Sequence, residues 1–263
     1  MNGWYAPGCD IHRSPFGGRG FEYYSEDPLI SGRMCAATVK GAADLGLTCY
    51  AKHFVLNDMD RYRIANGFVV WCNEQALREI YARAYEILVK EPTTTLKYLD
   101  NGETVYKETR ACTALMSSFN RIGDVWCGAS SALLKDMLRG EWGFLGTVIT
   151  DYNGNAYMHV EAGVSSGNDL MLANETTLPT KFTDTKNPST VRVMREACKN
   201  IFYTQVNSST VNKTSDATVI TYATAPWRIW LMEGNIGVGV VALALIAAGF
   251  IVGKRKKNIE VVD

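Results

Sequence analysis

The chain has 263 residues, 47% of them hydrophobic and 21% charged, with 27 basic side chains against 27 acidic ones. That composition is ordinary for a folded protein and excludes a disordered chain, while zero net charge without a basic face argues against nucleic acid as a partner. Seven cysteines (Cys9, Cys35, Cys49, Cys72, Cys112, Cys127 and Cys198) are scattered and never spaced as CxxC, so no zinc site, disulfide framework or other cofactor is expected.

Residues 3–27 begin as a brief strand-like run and turn loop-like at Pro7, Pro15, Gly17, Gly18 and Gly20. Ser31 is placed to cap a small-residue helix ending at Gly46. Residues 47–54 (LTCYAKHF) read as a strand with Lys52 and His53 at its exit. Asn73 can cap a helix in which Leu77, Ile80, Tyr81, Ala84 and Leu88 recur at helical spacing until Pro92. Residues 92–111 are polar and turn-rich, a loop or hairpin, and 113–117 (TALMS) form the next strand. Leu133, Leu134, Met137 and Leu138 predict an amphipathic helix capped by Ser130 or Ser131, broken by Gly140, Gly143 and Gly146. The run 147–150 is apolar enough to be buried on both faces and ends on Asp151, the carboxyl end of a strand where parallel α/β enzymes place chemistry. A further strand is expected at 168–172, then a helix from Pro188 with Val191, Met194, Cys198, Ile201 and Phe202 on one face.

Residues 236–252 are uncharged and apolar, with Trp227 and Trp230 before them and Lys254, Arg255, Lys256 and Lys257 after. About 17–20 such residues cross a bilayer, and these flanks match the aromatic belt and the positive-inside bias. The expectation is a single-pass anchor in the cell membrane with a cytoplasmic C-terminus. The chain then divides into a partial catalytic domain (1–206), a Ser/Thr/Asn-rich linker (207–226), the anchor with its basic flank (227–257) and a short tail (258–263). No secretory leader precedes the first strand, which predicts that the N-terminal part of the domain is missing.

Strand and helix alternate through about five units, which implies parallel strands and right-handed crossovers. The fold class is α/β. A closed barrel needs about three more units than are present, a doubly wound sheet none.

Five blocks carry a family resemblance: DIHRSPFGGRGFEYYSEDPLISG, KHFVLNDMDRYR, NEQALREIY, LMSSFNRIG and LLKDMLRGEWGFLGTVITDY. In this order they resemble the barrel domain of glycoside hydrolase family 3, over about residues 4–205, and VRVMREACKNIFYTQVNS resembles its closing helix. With the anchor behind it, the chain resembles the members of permuted domain order. The resemblance implies an incomplete (β/α)8 TIM-like barrel followed by one transmembrane helix, and a retaining exo-glycosidase of β-glucosidase type. It implies Asp151 as the nucleophile, Lys52, His53, Arg19 and Arg63 as binders of sugar hydroxyls, and Met116 lining the substrate site. Partners would be a β-glucoside or oligosaccharide, the membrane, and a missing domain supplying the general acid, since neither Glu141 nor Glu161 has a motif behind it. Phe119 stands where many members carry a tyrosine, which costs Asp151 a hydrogen bond. The His–Asp loop motif of the N-acetylglucosaminidase branch is not matched by VLNDMDRYR. The alternatives are a non-catalytic, membrane-anchored sugar-binding remnant, and a chain too open at its sheet edges to be stable alone.

Overall fold

The computed structural model describes residues 3–63, 67–152, 157–173, 181–208, 219, 221 and 223–257. The chain forms two units, Met1–Asp216 and Ala217–Asp263.

The first unit is built on four parallel strands: β1 (Gly3–Trp4), β2 (Thr48–Phe54), β6 (Ala114–Ser117) and β9 (Thr147–Ile149). They pair in chain order, with Gly3 opposite Thr48, Tyr50 opposite Ala114 and Ala114 opposite Thr147. A doubly wound sheet reverses its strand order at a switch point. This one does not reverse, and is wound one way only. Among the described residues no pairing joins β1 to the far edge. The strand expected at 168–172 is reduced to one bridge, Leu170 beside Ile149. Next to it the Thr150 hydroxyl accepts the Leu172 N–H at 3.0 Å.

Helices carry the chain between strands. In α1 (Pro28–Asp44) the cap is Asp27, whose carboxylate accepts the amides of Leu29 at 2.7 Å and Ile30 at 3.1 Å. Ser31 was expected there. It lies instead inside the helix, donating to Ser25 O at 3.1 Å. An aspartate followed by proline makes the stronger start, since the carboxylate takes two free amides and proline has none to satisfy. Asn73 does cap the next helix, accepting from Ala76 N at 2.7 Å. That helix runs as α2 (Glu74–Ala76), a wide π turn over Leu77–Tyr81, and α3 (Arg83–Lys90). Residues 92–111 form the hairpin β4 (Thr93–Asp100) and β5 (Glu103–Arg110). Asn101 and Gly102, both at positive φ, make the two-residue turn that suits strand twist.

The π-wound helix Ala132–Glu141 starts with the Ser130 hydroxyl accepting Leu133 N at 3.4 Å, and buries Leu133, Leu134, Met137 and Leu138. With Phe54, Tyr85, Leu115, Trp142 and Val148 these side chains form the main core on the helical side of the sheet. A small second sheet pairs β3 (Val69–Val70), β7 (Arg121–Ile122) and β8 (Val125–Trp126).

After β9 come α4 (Val160–Ser166) and α5 (Pro188–Val206). Val193, Ala197 and Thr204 are the buried residues of α5; of the expected stripe, Val191, Met194 and Ile201 are half-buried, Cys198 is exposed and Phe202 is 66% exposed. The reason is polar. The Thr204 hydroxyl donates to Thr113 O at 2.7 Å and so fixes the helix's rotation. Asp169 ties the same region together, accepting from Val148 N (2.7 Å), Arg139 Nη2 (2.8 Å) and Asn200 Nδ2 (2.8 Å). Asp169→Ala removes the acceptor from the Val148 and Asn200 donors and one of three from Arg139, which also bonds Gly146 O and Gly167 O. It is expected to lower the free energy of unfolding by about 3 kcal/mol in urea titrations.

The second unit contains α6 (Pro226–Lys257), of which Pro226–Lys254, 29 residues, is long and apolar enough to cross a membrane. Most of the expected linker, 207–226, and the tail, 258–263, lie outside the described residues.

Candidate active site

Side chains expected from the sequence meet at the carboxyl edge of the sheet. Asp151 lies two residues past β9, its amide donating to Ser117 O (3.1 Å) at the end of β6. His53 leaves β2 on the other side of β6, and its Nε2 lies 3.4 Å from Asp151 Oδ2. Asp151 Oδ1 accepts the Tyr152 amide at 2.7 Å, while Oδ2 has no hydrogen-bond partner among the described residues. One oxygen is thus held, while the other is buried without a hydrogen bond. The Lys52–His53 and Phe54–Val55 peptide bonds are cis.

Lys52 Nζ lies 3.1 Å from Glu22 Oε1, and Arg19 Nε donates to Glu22 Oε2 at 2.6 Å. Arg19 also faces Asp60 at 3.9 Å, and Arg63 pairs with Asp60 at 2.8 Å. Burial opposes ionisation of Glu22, but the bond from Lys52 and the charge of Arg19 hold its carboxyl below the usual range. Three cations and two carboxylates therefore brace one another around the edge. The Arg63 guanidinium stacks over the Phe119 ring at 5.0 Å, and the Phe119 carbonyl accepts the Tyr157 hydroxyl at 3.0 Å. Met116 is different. It sits within β6 opposite Ile149 and is 2% exposed, so it presents almost no surface to a ligand.

Burial sets the charge state of the centre. It lowers the His53 imidazole to about 3 against the pull of Asp151, leaving it neutral, and raises Asp10 to about 7 against the bonds from the His53 and Asn57 amides. Between pH 6.5 and 3 the unfolded chain binds a proton at this histidine that the folded chain refuses, so stability falls as pH falls through that window. Relative to His53→Gln, the parent chain should lose up to about 1 kcal/mol per pH unit from pH 6 to 4 in urea unfolding. Parallel curves would contradict a buried neutral imidazole.

Sequence reasoning missed Asp10, Glu22 and Asp60. All three lie inside the blocks DIHRSPFGGRGFEYYSEDPLISG and KHFVLNDMDRYR. Glu22 and Asp60 stand three residues from Arg19 and Arg63, a spacing that could have found them. The amides Asp10 binds lie 43 and 47 residues away and leave no local pattern. Glu141 ends the helix that leads into β9, at the opposite end of the sheet from Asp151, and is bonded to Arg78 at 2.6 Å. Glu161 opens α4 and accepts the Thr183 amide at 2.6 Å.

Among solved structures, β-glucosidase 3B from Thermotoga neapolitana in complex with glucose superposes with a TM-score of 0.61 at 28% identity, over 82% of this chain and 29% of that one. The family 3 glycoside hydrolase (GH3) β-glucosidase of Bifidobacterium adolescentis gives 0.64 at 26% identity, over 84% of this chain and 30% of that one. The chain is similar to β-glucosidases. Among curated proteins, β-glucosidase A of Butyrivibrio fibrisolvens is 36% identical over 169 residues, which is 64% of this chain and 18% of that protein. The probable β-glucosidase J of Emericella nidulans is 35% identical over 176 residues, 67% of this chain and again 18% of the relative. The chain therefore spans under a fifth of the length of these curated relatives. No family model matches it.

Proposed function

We propose that this chain is the nucleophile-bearing part of a GH3 exo-glycosidase that removes terminal β-linked glucose with retention of configuration. Its α/β fold corresponds to part of a (β/α)8 barrel. The observation that carries the proposal is Asp151 Oδ2, without a hydrogen bond and 3.4 Å from His53 Nε2. Oδ2 attacks the anomeric carbon, the bond to the aglycone oxygen breaks, and a glycosyl ester forms on Asp151. Water, giving its proton to the conjugate base of the acid that protonated the leaving group, then attacks the same carbon and releases the sugar and the carboxylate. Lys52, His53, Arg19 and Arg63 hold sugar hydroxyls. The proton for the leaving oxygen comes from an acid outside these residues. Met116, sealed in β6, supports the floor of the site.

The apolar stretch of α6 anchors the enzyme in the cell membrane, with Trp227 and Trp230 at the outer interface and Lys254–Lys257 in the cytoplasm. The similarity to β-glucosidases over most of the first unit supports the substrate class.

Calorimetric titration with glucose tests the binding half of the proposal. The chain should bind glucose saturably, and Lys52→Ala should weaken that binding by about tenfold, the worth of one or two hydrogen bonds to a charged donor. No saturable binding, or a lysine variant that binds equally well, would count against it.

A further inference from the structure

Asp10 has no part in the sugar chemistry described so far. Its side chain is 2% exposed, and among the described residues no lysine or arginine pairs with it. A carboxyl group in such a place is costly unless its bonds repay the burial. Oδ2 accepts the His53 amide at 2.9 Å and Oδ1 accepts the Asn57 amide at 3.2 Å, so one side chain spans the turn that leaves β2. The same Oδ2 faces His53 Nδ1 at 3.6 Å, while Nε2 on the ring's other side faces Asp151. Asp10, the imidazole and Asp151 thus stand in a row, with the outer two groups on either side of one ring.

We infer that Asp10 is a positioning residue, holding the Lys52–His53 segment through two backbone amides so that the ring meets Asp151 and the lysine meets the sugar. The inference rests on the glucoside site proposed above. Asp58 supplies the comparison. It is also buried, yet it pairs with Arg13 at 2.6 Å and makes no bond to His53. Both acids support the fold; only Asp10 reaches the site.

The test is a matched pair of variants, Asp10→Asn and Asp58→Asn, in the full chain. Each is measured for glucose affinity, for the rate at which an activated 2-fluoroglucoside labels the protein, and for its urea midpoint. An asparagine keeps one of the two acceptors and turns an NH2 towards the other amide. Asp10→Asn should weaken glucose binding by about tenfold and slow labelling, while Asp58→Asn leaves both within about twofold despite a similar loss of stability. Unchanged affinity and labelling in Asp10→Asn overturns the inference, as do equal losses in the two variants. If Asp10→Asn does not fold, hydrogen exchange in the parent chain decides. The His53 and Asn57 amides should exchange slowly, and exchange at the rate of exposed amides overturns the inference. A parent chain that neither binds glucose nor takes the label sinks the glucoside reading instead, and amide exchange still reports whether Asp10 holds the turn.

Discussion

Asp151→Ala is expected to slow release of dinitrophenolate from dinitrophenyl β-glucoside by at least about 10⁴-fold, because the proposed attacking atom is gone. This substrate matters because its leaving group departs without a proton, so no general acid is required for that step. Azide offers a second readout. It can enter the space the carboxylate vacated, form a bond to the anomeric carbon and expel dinitrophenolate, giving the α-glucosyl azide. Restored release with that product identifies the lost group as the nucleophile. An alanine variant as fast as the parent would place the chemistry elsewhere.

The largest expected effect on stability comes from a glycine. A Cβ built on Gly146 would overlap the carbonyl of Thr113 and lie 2.9 Å from its Cα. Those atoms cannot retreat, because Thr113 O already accepts Thr147 N at 3.0 Å and the Thr204 hydroxyl at 2.7 Å. That pair of bonds joins the start of β9 to the residue before β6 and to α5. Gly146→Ala must break it or bend the strand, at a cost of about 4 kcal/mol, in the upper range for overpacking a backbone contact. Since whole domains are stable by only about 5–15 kcal/mol, the variant should unfold at much lower urea, read by tryptophan fluorescence. A midpoint within error of the parent would show that the two segments are not so closely held.

The parts of this chain that were legible in its sequence share a cause. Strand runs such as 47–54 and 147–150 are short, apolar and punctuated, and the residues at their exits follow directly. Asp151, Lys52 and His53 could therefore be placed on one edge before any coordinates. The resemblance to family 3 added Arg19 and Arg63. What was not legible depends on partners distant in sequence. Asp10 acts on an amide 43 residues away, and Glu22 gains its meaning from Lys52 on the next strand. The α5 stripe held only in part, for a related reason. Hydrophobicity pointed to Val191, Met194, Cys198, Ile201 and Phe202, of which Val191, Met194 and Ile201 are half-buried, while the fully buried face includes Thr204, whose hydroxyl bonds to Thr113 O. Ser31 failed locally, outcompeted by an aspartate–proline pair four residues earlier.

The most direct measurement is to treat the chain with dinitrophenyl 2-deoxy-2-fluoro-β-glucoside and locate the trapped sugar by peptide mass spectrometry. The fluorine slows the water step more than departure of an activated leaving group, so the ester accumulates. One glucosyl adduct on the peptide containing Asp151 is the result expected. An adduct on another carboxylate, or none on a folded chain that binds glucose, would contradict a nucleophile at this strand end.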